Sequence, residues 1–192
     1  VEEGWNATTK LIVIYGIAAG MNYLHSNDIL NRNLTPNNII LDKSLHPKIT
    51  NFGLCTHFLI VNSITAQSSC AIHPSQLYSA PEKFISEEET NKSDVYTFSL
   101  IVYEVVTAER PFSKYKNFSQ FYNQVVLGGM RPEIKNEVPE CYRELIGKCW
   151  CQDQNERPTF ENIIEVLGSV PDFITSDVNK EEYLNYIRQI SK

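Results

Sequence analysis

The sequence has little of what would tie it to a membrane, to nucleic acid or to a secretory route. Its longest apolar run, residues 11–15, has five residues, whereas a membrane-spanning helix needs roughly 20. Acidic residues outnumber basic ones by 23 to 17, and the net charge of −6 gives no reason to expect nucleic acid or an anionic membrane as a partner. Residues 1–4 lack the basic and apolar regions of a signal peptide. We therefore expect a cytoplasmic location, either as a separate protein or as the intracellular part of a larger one.

The chain also lacks an initiator methionine, internal repeats and low-complexity segments. Its 192 residues, 42% of them hydrophobic, predict one domain or a large piece of one, and we expect a fragment.

Nothing in the sequence has the spacing of a metal site or a disulfide framework. Cys149 and Cys151 are separated by one residue, which is not zinc-ligand spacing. His57 and His73 have no acidic residue or cysteine at metal spacing, so we interpret them as solvated. We predict no metal, and reduced thiols at all five cysteines because no secretory context is visible: Cys55, Cys70, Cys141, Cys149 and Cys151.

Hydrophobic periodicity predicts a mainly α domain with a small β element. A first helix is predicted from Asn6 or Thr8 to about residue 25, and two short strands at 38–42 and 47–50. Residues 54–79 have no sustained period, and a loop of that length is typical of a functional segment. A buried central helix is predicted to begin at Ser93-Asp94 and to be stopped by Arg110-Pro111. Further helices are predicted at about 118–127, 139–150 and 160–167.

The last predicted helix, residues 179–190, is amphipathic. Two roles stay open for its apolar face, which are packing on the domain and binding a partner. We divide the chain into a domain at 1–170 and a tail helix at 171–192.

Two stretches carry a pattern that is associated with chemistry. Residues 31–41 read N-R-N-L-T-P-N-N-I-I-L, and ten residues further on Asn51-Phe52-Gly53 reads N-F-G. Together they resemble the catalytic loop H-R-D-L-x-x-x-N and the metal-binding turn D-F-G of protein kinases. Further matches follow in the family's order, and the last of them is similar to the tyrosine-kinase-like (TKL) group: Tyr23-Leu24-His25, Ala80-Pro81-Glu82, residues 93–99, and Cys149-Trp150 with Arg157-Pro158-Thr159-Phe160.

The resemblance, which covers about residues 11–167, implies a role for each residue of the loop and the turn. Asn33 stands where the family has its catalytic base, and an amide cannot act as one near neutral pH. Loss of a positioned base costs roughly 10²–10⁴ in rate. Thr35 stands where most serine/threonine kinases carry a lysine near the γ-phosphate. Asn51 replaces the aspartate that holds Mg²⁺, and Asn38 keeps the second metal ligand. A second interpretation stays open, in which Asn33, Asn38 and Asn51 are polar loop residues that bond to nearby backbone.

Five other matched residues take structural roles in the resemblance: Arg32, Gly53, Glu82, Asp94 and Arg157. Asp94 is expected to accept hydrogen bonds from the backbone N–H groups of Asn31 or Arg32. Glu82 and Arg157 are expected to form a buried ion pair. Arg32 can receive a phosphate carried by residues 54–79.

The resemblance implies a kinase C-terminal lobe alone. The family's Gly-rich loop and strand lysine would precede residue 1, and ATP and Mg²⁺ are implied by the family only. We favour a pseudokinase that acts through protein partners, because Asn33 and Asn51 lack the two functional carboxylates. The alternative is an ATP-dependent protein serine/threonine kinase with a degenerate site.

Overall fold

A computed structural model describes residues 4–53, 71–86, 89–169 and 171–190. This part of the chain is mostly helical with one two-stranded sheet, which confirms the predicted fold class. Its helices and strands are α1 (Ala7–Ser26), β1 (Ile39–Leu41), β2 (Pro47–Ile49), α2 (Glu82–Ile85), α3 (Asn91–Thr107), α4 (Phe118–Phe121), α5 (Glu140–Cys149), α6 (Phe160–Ser169) and α7 (Lys180–Ile190). None of the described helices is both long and apolar enough to cross a membrane.

Helix α1 begins where the sequence predicted it. The side chain of Asn6 caps it by accepting a hydrogen bond of 3.0 Å from the Thr9 backbone N–H, which satisfies one of the unpaired donors of the first turn. Buried apolar residues recur along its length to Leu24. Helix α1 therefore provides a long core face against which later elements pack.

Strands β1 and β2 form an antiparallel hairpin close to the predicted strands. Ile39 pairs with Ile49 and Leu41 with Pro47. The turn between them is held by Asp42, whose carboxylate accepts from the backbone N–H groups of the turn. This register brings the residues before β1 and after β2, 38 and 51, to the same end of the hairpin.

Helix α3 is the central helix, and the predicted start at Ser93 is wrong by two residues. Thr90 and Ser93 form a reciprocal capping pair across the first turn, so the helix begins at Asn91. Residues 93–103 are all buried, as expected of a helix packed on every side. The helix ends at Thr107, before the predicted stop, because Ala108 adopts a left-handed conformation with φ +57°.

The single helix predicted at 118–127 is α-helical only to Phe121. Residues Tyr122–Leu127 form a wider π-helical stretch, in which the Gly128 N–H bonds the Asn123 carbonyl five residues back. A Cβ at Gly128 would lie 2.7 Å from the Gln124 carbonyl oxygen, so this close turn requires glycine. Helices α5 and α6 lie within two residues of their predicted bounds.

The tail helix α7 packs on the domain. Tyr183 is fully buried and its hydroxyl donates to the Leu167 carbonyl at 3.0 Å, while its ring meets the edge of Tyr15. The backbone N–H of Asn179 donates to the Thr8 hydroxyl at 2.8 Å. Of the two roles left open for this helix, packing on the domain is the one observed.

We predict that Gly16→Ala destabilises the chain. A Cβ at Gly16 would lie 2.2 Å from the Tyr186 hydroxyl on α7 and 2.5 Å from Pro47 on β2. Such overpacking costs about 1–3 kcal/mol. Urea denaturation measures it against Gly147→Ala on α5, where nothing lies within 4 Å and better helix propensity adds up to about 1 kcal/mol. Equal midpoints for the two variants would contradict this account of the packing.

Candidate functional site

A buried aspartate on the central helix holds the loop that resembles a catalytic loop. Asp94 is 4% exposed, and its carboxylate accepts from the backbone N–H of Asn31 at 2.9 Å and of Arg32 at 3.1 Å. This confirms the predicted contact. The sequence did not predict a third partner, His25 on α1, whose Nε2 lies 2.9 Å from the same carboxylate. The loop is therefore fixed to α3 through its backbone N–H groups, with Arg32 at φ +63°, and the His25 side chain joins α1 to the same carboxylate.

The turn that resembles D-F-G is joined to this loop mainly through backbone. The Gly53 N–H donates to the Asn31 carbonyl at 3.2 Å, and the Thr50 N–H donates to the Asn38 carbonyl at 2.9 Å. Asn51 and Gly53 both have positive φ, +55° and +74°. Asn51, Phe52 and Gly53 are exposed, so the turn lies at the surface of the described structure.

The two asparagines that the resemblance places at metal-ligand positions hydrogen-bond to each other. Asn38 donates from its Nδ2 to the Asn33 carbonyl at 2.7 Å, and Asn51 donates from its Nδ2 to Asn38 Oδ1 at 3.0 Å. A carbonyl can only accept, so Asn38 must turn its NH₂ toward Asn33 and its oxygen toward Asn51. Asn51 must then present its own NH₂. The result is a chain of amides, from the side chains of Asn51 and Asn38 to the backbone carbonyl of Asn33, that forms without a cation.

These hydrogen bonds agree in part with each of the two interpretations of the asparagines. Asn38 bonds to backbone, as the polar-loop interpretation expects, and Asn38 and Asn51 also lie together, as the ligand positions of a metal site would. No negative charge is available to attract a metal ion, since all three side chains are neutral. Among the described residues, no group of three or more histidines, cysteines or acidic residues could hold a metal ion.

Arg32 forms an ion pair with a glutamate outside the segment that was predicted to bring a phosphate. Its Nε lies 3.4 Å from Glu89 Oε2. The other carboxylate oxygen of Glu89 pairs with Lys83 Nζ at 2.5 Å, and Lys83 also donates to the Arg32 carbonyl at 3.1 Å. The Lys83 side chain is only 8% exposed. Sequence reasoning missed Lys83 and Glu89, because a lysine after Ala80-Pro81-Glu82 gives no signal of burial.

Thr35 lies beside this cluster. It is 8% exposed, and its carbonyl accepts from the Asn38 N–H at 2.9 Å in the short 3₁₀ turn Pro36–Asn38. Its hydroxyl provides no charge of the kind that the family's lysine would provide there.

Glu82 and Arg157 form the predicted buried pair. Two guanidinium nitrogens of Arg157 lie 2.7 and 3.0 Å from the two carboxylate oxygens of Glu82, and Arg157 is 1% exposed. Arg157 also donates to the carbonyls of Cys151 and Lys92, both at 2.9 Å, and the Ser93 hydroxyl donates to Glu82 at 2.8 Å. Burial opposes ionisation of Glu82, but the hydrogen bond and charge of Arg157 outweigh it and hold the pKa of Glu82 below its usual value.

The described cysteines and histidines match their sequence-based interpretation in part. Cys141, Cys149 and Cys151 are free thiols, and His73 is exposed, with its ring 2.7 Å from the Ser75 hydroxyl. The predictions for Cys55, Cys70, His57 and most of the loop at 54–79 fall on residues outside the described part.

Comparison with known proteins relates this chain to protein kinases. The family model for protein tyrosine and serine/threonine kinase matches residues 2–167. Dual specificity protein kinase shkC of Dictyostelium discoideum is 33% identical over 169 residues, which cover 86% of this chain and 33% of that protein. Serine/threonine-protein kinase VIK of Arabidopsis thaliana is 34% identical over 180 residues, covering 91% and 40% respectively. The chain thus spans less than half the length of these relatives.

We predict that Glu82→Ala costs about 3–5 kcal/mol of unfolding free energy at neutral pH, because it leaves Arg157 buried without its partner charge. The contribution of Glu82 depends on pH, since its folded-state pKa lies below the usual 4.5. It is fully present above pH 4.5 and is lost as the pH falls through the lower folded-state pKa. Denaturant melts of parent and variant across acid and neutral pH should therefore converge in acid.

Lys135→Ala is the matched control, because it removes the solvent-exposed pair with Glu109. Exposed pairs contribute little to stability, so this variant should melt close to the parent. A Glu82→Ala variant with the same midpoint as Lys135→Ala would show that the buried pair contributes nothing.

Proposed function

The chain belongs to the protein tyrosine and serine/threonine kinase family, and we propose that it is a pseudokinase domain that acts through contacts with other proteins. In this proposal the kinase fold presents a surface and does not transfer a phosphoryl group. The TKL group and a cytoplasmic location remain predictions from the sequence.

The observation that carries the proposal is the hydrogen bond between Asn51 and Asn38. Mg²⁺ takes oxygen ligands in near-octahedral geometry and sheds its waters reluctantly, so it is usually held through one or two carboxylates together with substrate phosphates. Here the oxygen of Asn38 already accepts from the Asn51 NH₂, and neither residue carries charge. A metal ion would have to break this bond and would gain two neutral ligands at most. Phosphoryl transfer depends on holding the phosphates in place and on neutralising their charge. Asn38 and Asn51 contribute little to either requirement.

The absence of a base at residue 33 supports the same proposal. The backbone of Asn33 is fixed, since its N–H donates to Asn31 Oδ1 at 3.1 Å and its carbonyl accepts from Asn38. The position that the family uses is therefore built, but it holds a side chain that cannot take a proton near neutral pH.

The second candidate is an ATP-dependent protein serine/threonine kinase. The well-formed scaffold favours it, because the Asp94 contacts and the Glu82–Arg157 pair are of the kind that an active domain would need. Both relatives named above are also called kinases. Resemblance of fold does not establish activity, however, and the chemistry of Asn33 and Asn51 is what separates the two candidates.

We predict that the 192-residue chain transfers no phosphate from radiolabelled ATP to a generic protein substrate, and that calorimetry detects no Mg²⁺-dependent ATP binding. The double reversion Asn33→Asp with Asn51→Asp should stay inactive in this chain, because its sequence contains no G-x-G-x-x-G segment to cover the phosphates.

Turnover by the unmodified chain above a no-enzyme control would refute the pseudokinase proposal. Turnover in the double revertant alone would show that the two carboxylates were the limiting defect.

We predict that Asn51→Asp makes the stability of the chain depend on Mg²⁺. The new carboxylate would face the oxygen of Asn38, so the variant should melt below the parent in chelator. Mg²⁺ that bridges the two oxygens would raise the melting temperature by mass action, and a concentration of 100 Kd corresponds to about 2.7 kcal/mol.

Thermal melts with and without Mg²⁺ test this, with Asn185→Asp, an exposed position on α7, as the charge-matched control. The parent and the control should not respond to Mg²⁺. A Mg²⁺-dependent rise in the parent would contradict the view that its amide pair is closed to the metal.

A further inference from the structure

A groove of about 440 Å³ lies on the side of the domain where α1 begins, and we call it the α1–α5 groove. It is bounded by the first turn of α1, the last turn of α3, residues 133–139 with the start of α5, and residues 175–178 before α7. Its volume lies within the range of about 300–1,000 Å³ that is typical of ligand sites in proteins. None of the described residues that line it belongs to the loop 31–38, to the hairpin or to the turn at 51–53, so the functions discussed above do not use it.

The walls of the α1–α5 groove are fixed by contacts within the domain. Asn6 caps α1, and the ring of Tyr142 packs edge-on against the ring of Phe173, with 5.1 Å between the two centroids. The segment before α7 is held by the hydrogen bond from the Asn179 N–H to the Thr8 hydroxyl. A ligand would therefore meet a site that is already formed, which reduces the entropic cost of binding.

The floor of the groove is apolar and includes two aromatic side chains whose polar ends are free. Val138 and Tyr142 are each 7% exposed, and Trp5, Val106 and Val178 are half-buried. The Tyr142 hydroxyl and the Trp5 indole N–H form no hydrogen bond with a described residue. Tryptophan and tyrosine, which combine an apolar body with a polar tip, are enriched at protein interfaces. The floor therefore fits a bulky apolar side chain, and the two free donors fit the backbone carbonyls beside it.

The rim of the groove carries an excess of negative charge. Lys135 pairs with Glu109 at 2.6 Å, and this contact raises the pKa of Lys135 and lowers that of Glu109, so both stay ionised at neutral pH. Outside the described part of the chain the sequence has one lysine, Lys192, and no arginine, so little positive charge is available there. The other charged lining residues form no ion pair with a described residue, and they are three acids and one base: Glu133, Glu137, Asp177 and Lys10.

We propose that the α1–α5 groove binds a segment of a partner protein that carries one bulky apolar side chain flanked by lysine or arginine. The apolar side chain enters the floor, and a backbone carbonyl of the segment accepts from the Tyr142 hydroxyl. The flanking basic side chains meet Glu133, Glu137 and Asp177, where complementary charge favours this segment over an acidic one. The inference rests on the proposed function, because it names a surface and a partner chemistry for a kinase fold that acts through protein contacts.

The test is NMR titration of the ¹⁵N-labelled 192-residue chain with three blocked peptides, Ac-GKKFKKG-NH₂, Ac-GKKSKKG-NH₂ and Ac-GEEFEEG-NH₂. The chain has two tryptophans, so the indole N–H signal of Trp5 reports on the groove, and that of Trp150, which does not line it, is the internal reference. The first peptide should shift the Trp5 signal saturably, with a dissociation constant on the order of 0.1–1 mM, and added salt should weaken binding. The other two peptides should bind at least tenfold more weakly, because one lacks the apolar side chain and the other has the wrong charge.

A double variant tests the charge of the rim. Glu133→Gln with Glu137→Gln removes the excess negative charge and should weaken binding of the first peptide about tenfold. The matched control is Glu161→Gln with Glu165→Gln, at exposed positions on α6 that do not line the groove. It makes the same change in net charge and should bind the peptide as the parent does.

Two single variants should change the affinity in opposite directions. Lys135→Ala releases Glu109 from its ion pair and increases the negative charge of the rim, so it should bind the first peptide several-fold more tightly. Tyr142→Phe keeps the ring and removes the free hydroxyl. It should weaken binding by about threefold to tenfold, which is the range expected for the loss of one hydrogen bond.

The proposal is overturned if the Trp5 signal does not shift saturably, if the glutamate peptide binds as tightly as the lysine peptide, or if the rim variant binds like its control on α6. A shift of the Trp5 signal when the concentration of the chain alone is raised would assign the groove to a second copy and would also overturn it. None of these readouts involves ATP. Phosphoryl transfer by the chain would refute the proposed function and leave the groove in place, whereas a lack of peptide binding would leave the proposed function standing without this partner surface.

Discussion

The carboxylate of Asp94 is the contact on which the loop at residues 31–38 depends. It is buried on the central helix and accepts from the backbone of Asn31 and Arg32 and from the ring of His25. A buried charge is tolerated when hydrogen bonds replace its lost hydration, and removing such partners leaves it uncompensated. Because the donors from the loop are backbone groups, this anchor does not depend on the side chains that would perform chemistry. The loop can therefore keep its shape while residue 33 changes from an acid to an amide.

Elsewhere in the site, too, the backbone arrangement does not depend on the identity of the side chains. The register of the hairpin places residues 38 and 51 together, whatever side chains they carry. With two asparagines there, the amides satisfy each other. The two side chains hydrogen-bond to each other and leave no buried carboxylate in need of a cation. The family assignment states the fold of this chain, and the identity of these few side chains decides between the two candidate functions.

The sequence predicts best those features that depend on local pattern or on motifs at fixed spacing. Helix α1, the central helix and the hairpin follow from periodicity, and the contacts of Asp94 and of Arg157 follow from the resemblance. Features set by tertiary packing were not predictable. Lys83 is buried because Glu89 and a backbone carbonyl meet its ammonium group, and the NH₂ group of Gln76 is left without an acceptor while its oxygen caps a turn. The π-helical stretch after α4 was likewise missed, since its wider hydrogen-bond pattern does not alter the apolar spacing enough to be read from sequence.

The glycine at position 16 lies where the tail helix and the hairpin both contact α1. The Tyr186 hydroxyl and Pro47 approach the same point on α1, and the ring of Tyr186 lies 4.5 Å from that of His46 in the turn of the hairpin. The tail helix and strand β2 thus both pack on α1 at Gly16. Residues in mutual contact do not contribute to stability independently. The free energy with which the tail docks therefore includes part of the free energy that aligns the hairpin. Displacing the tail helix would therefore also remove the contact between Tyr186 and His46 from the turn of the hairpin.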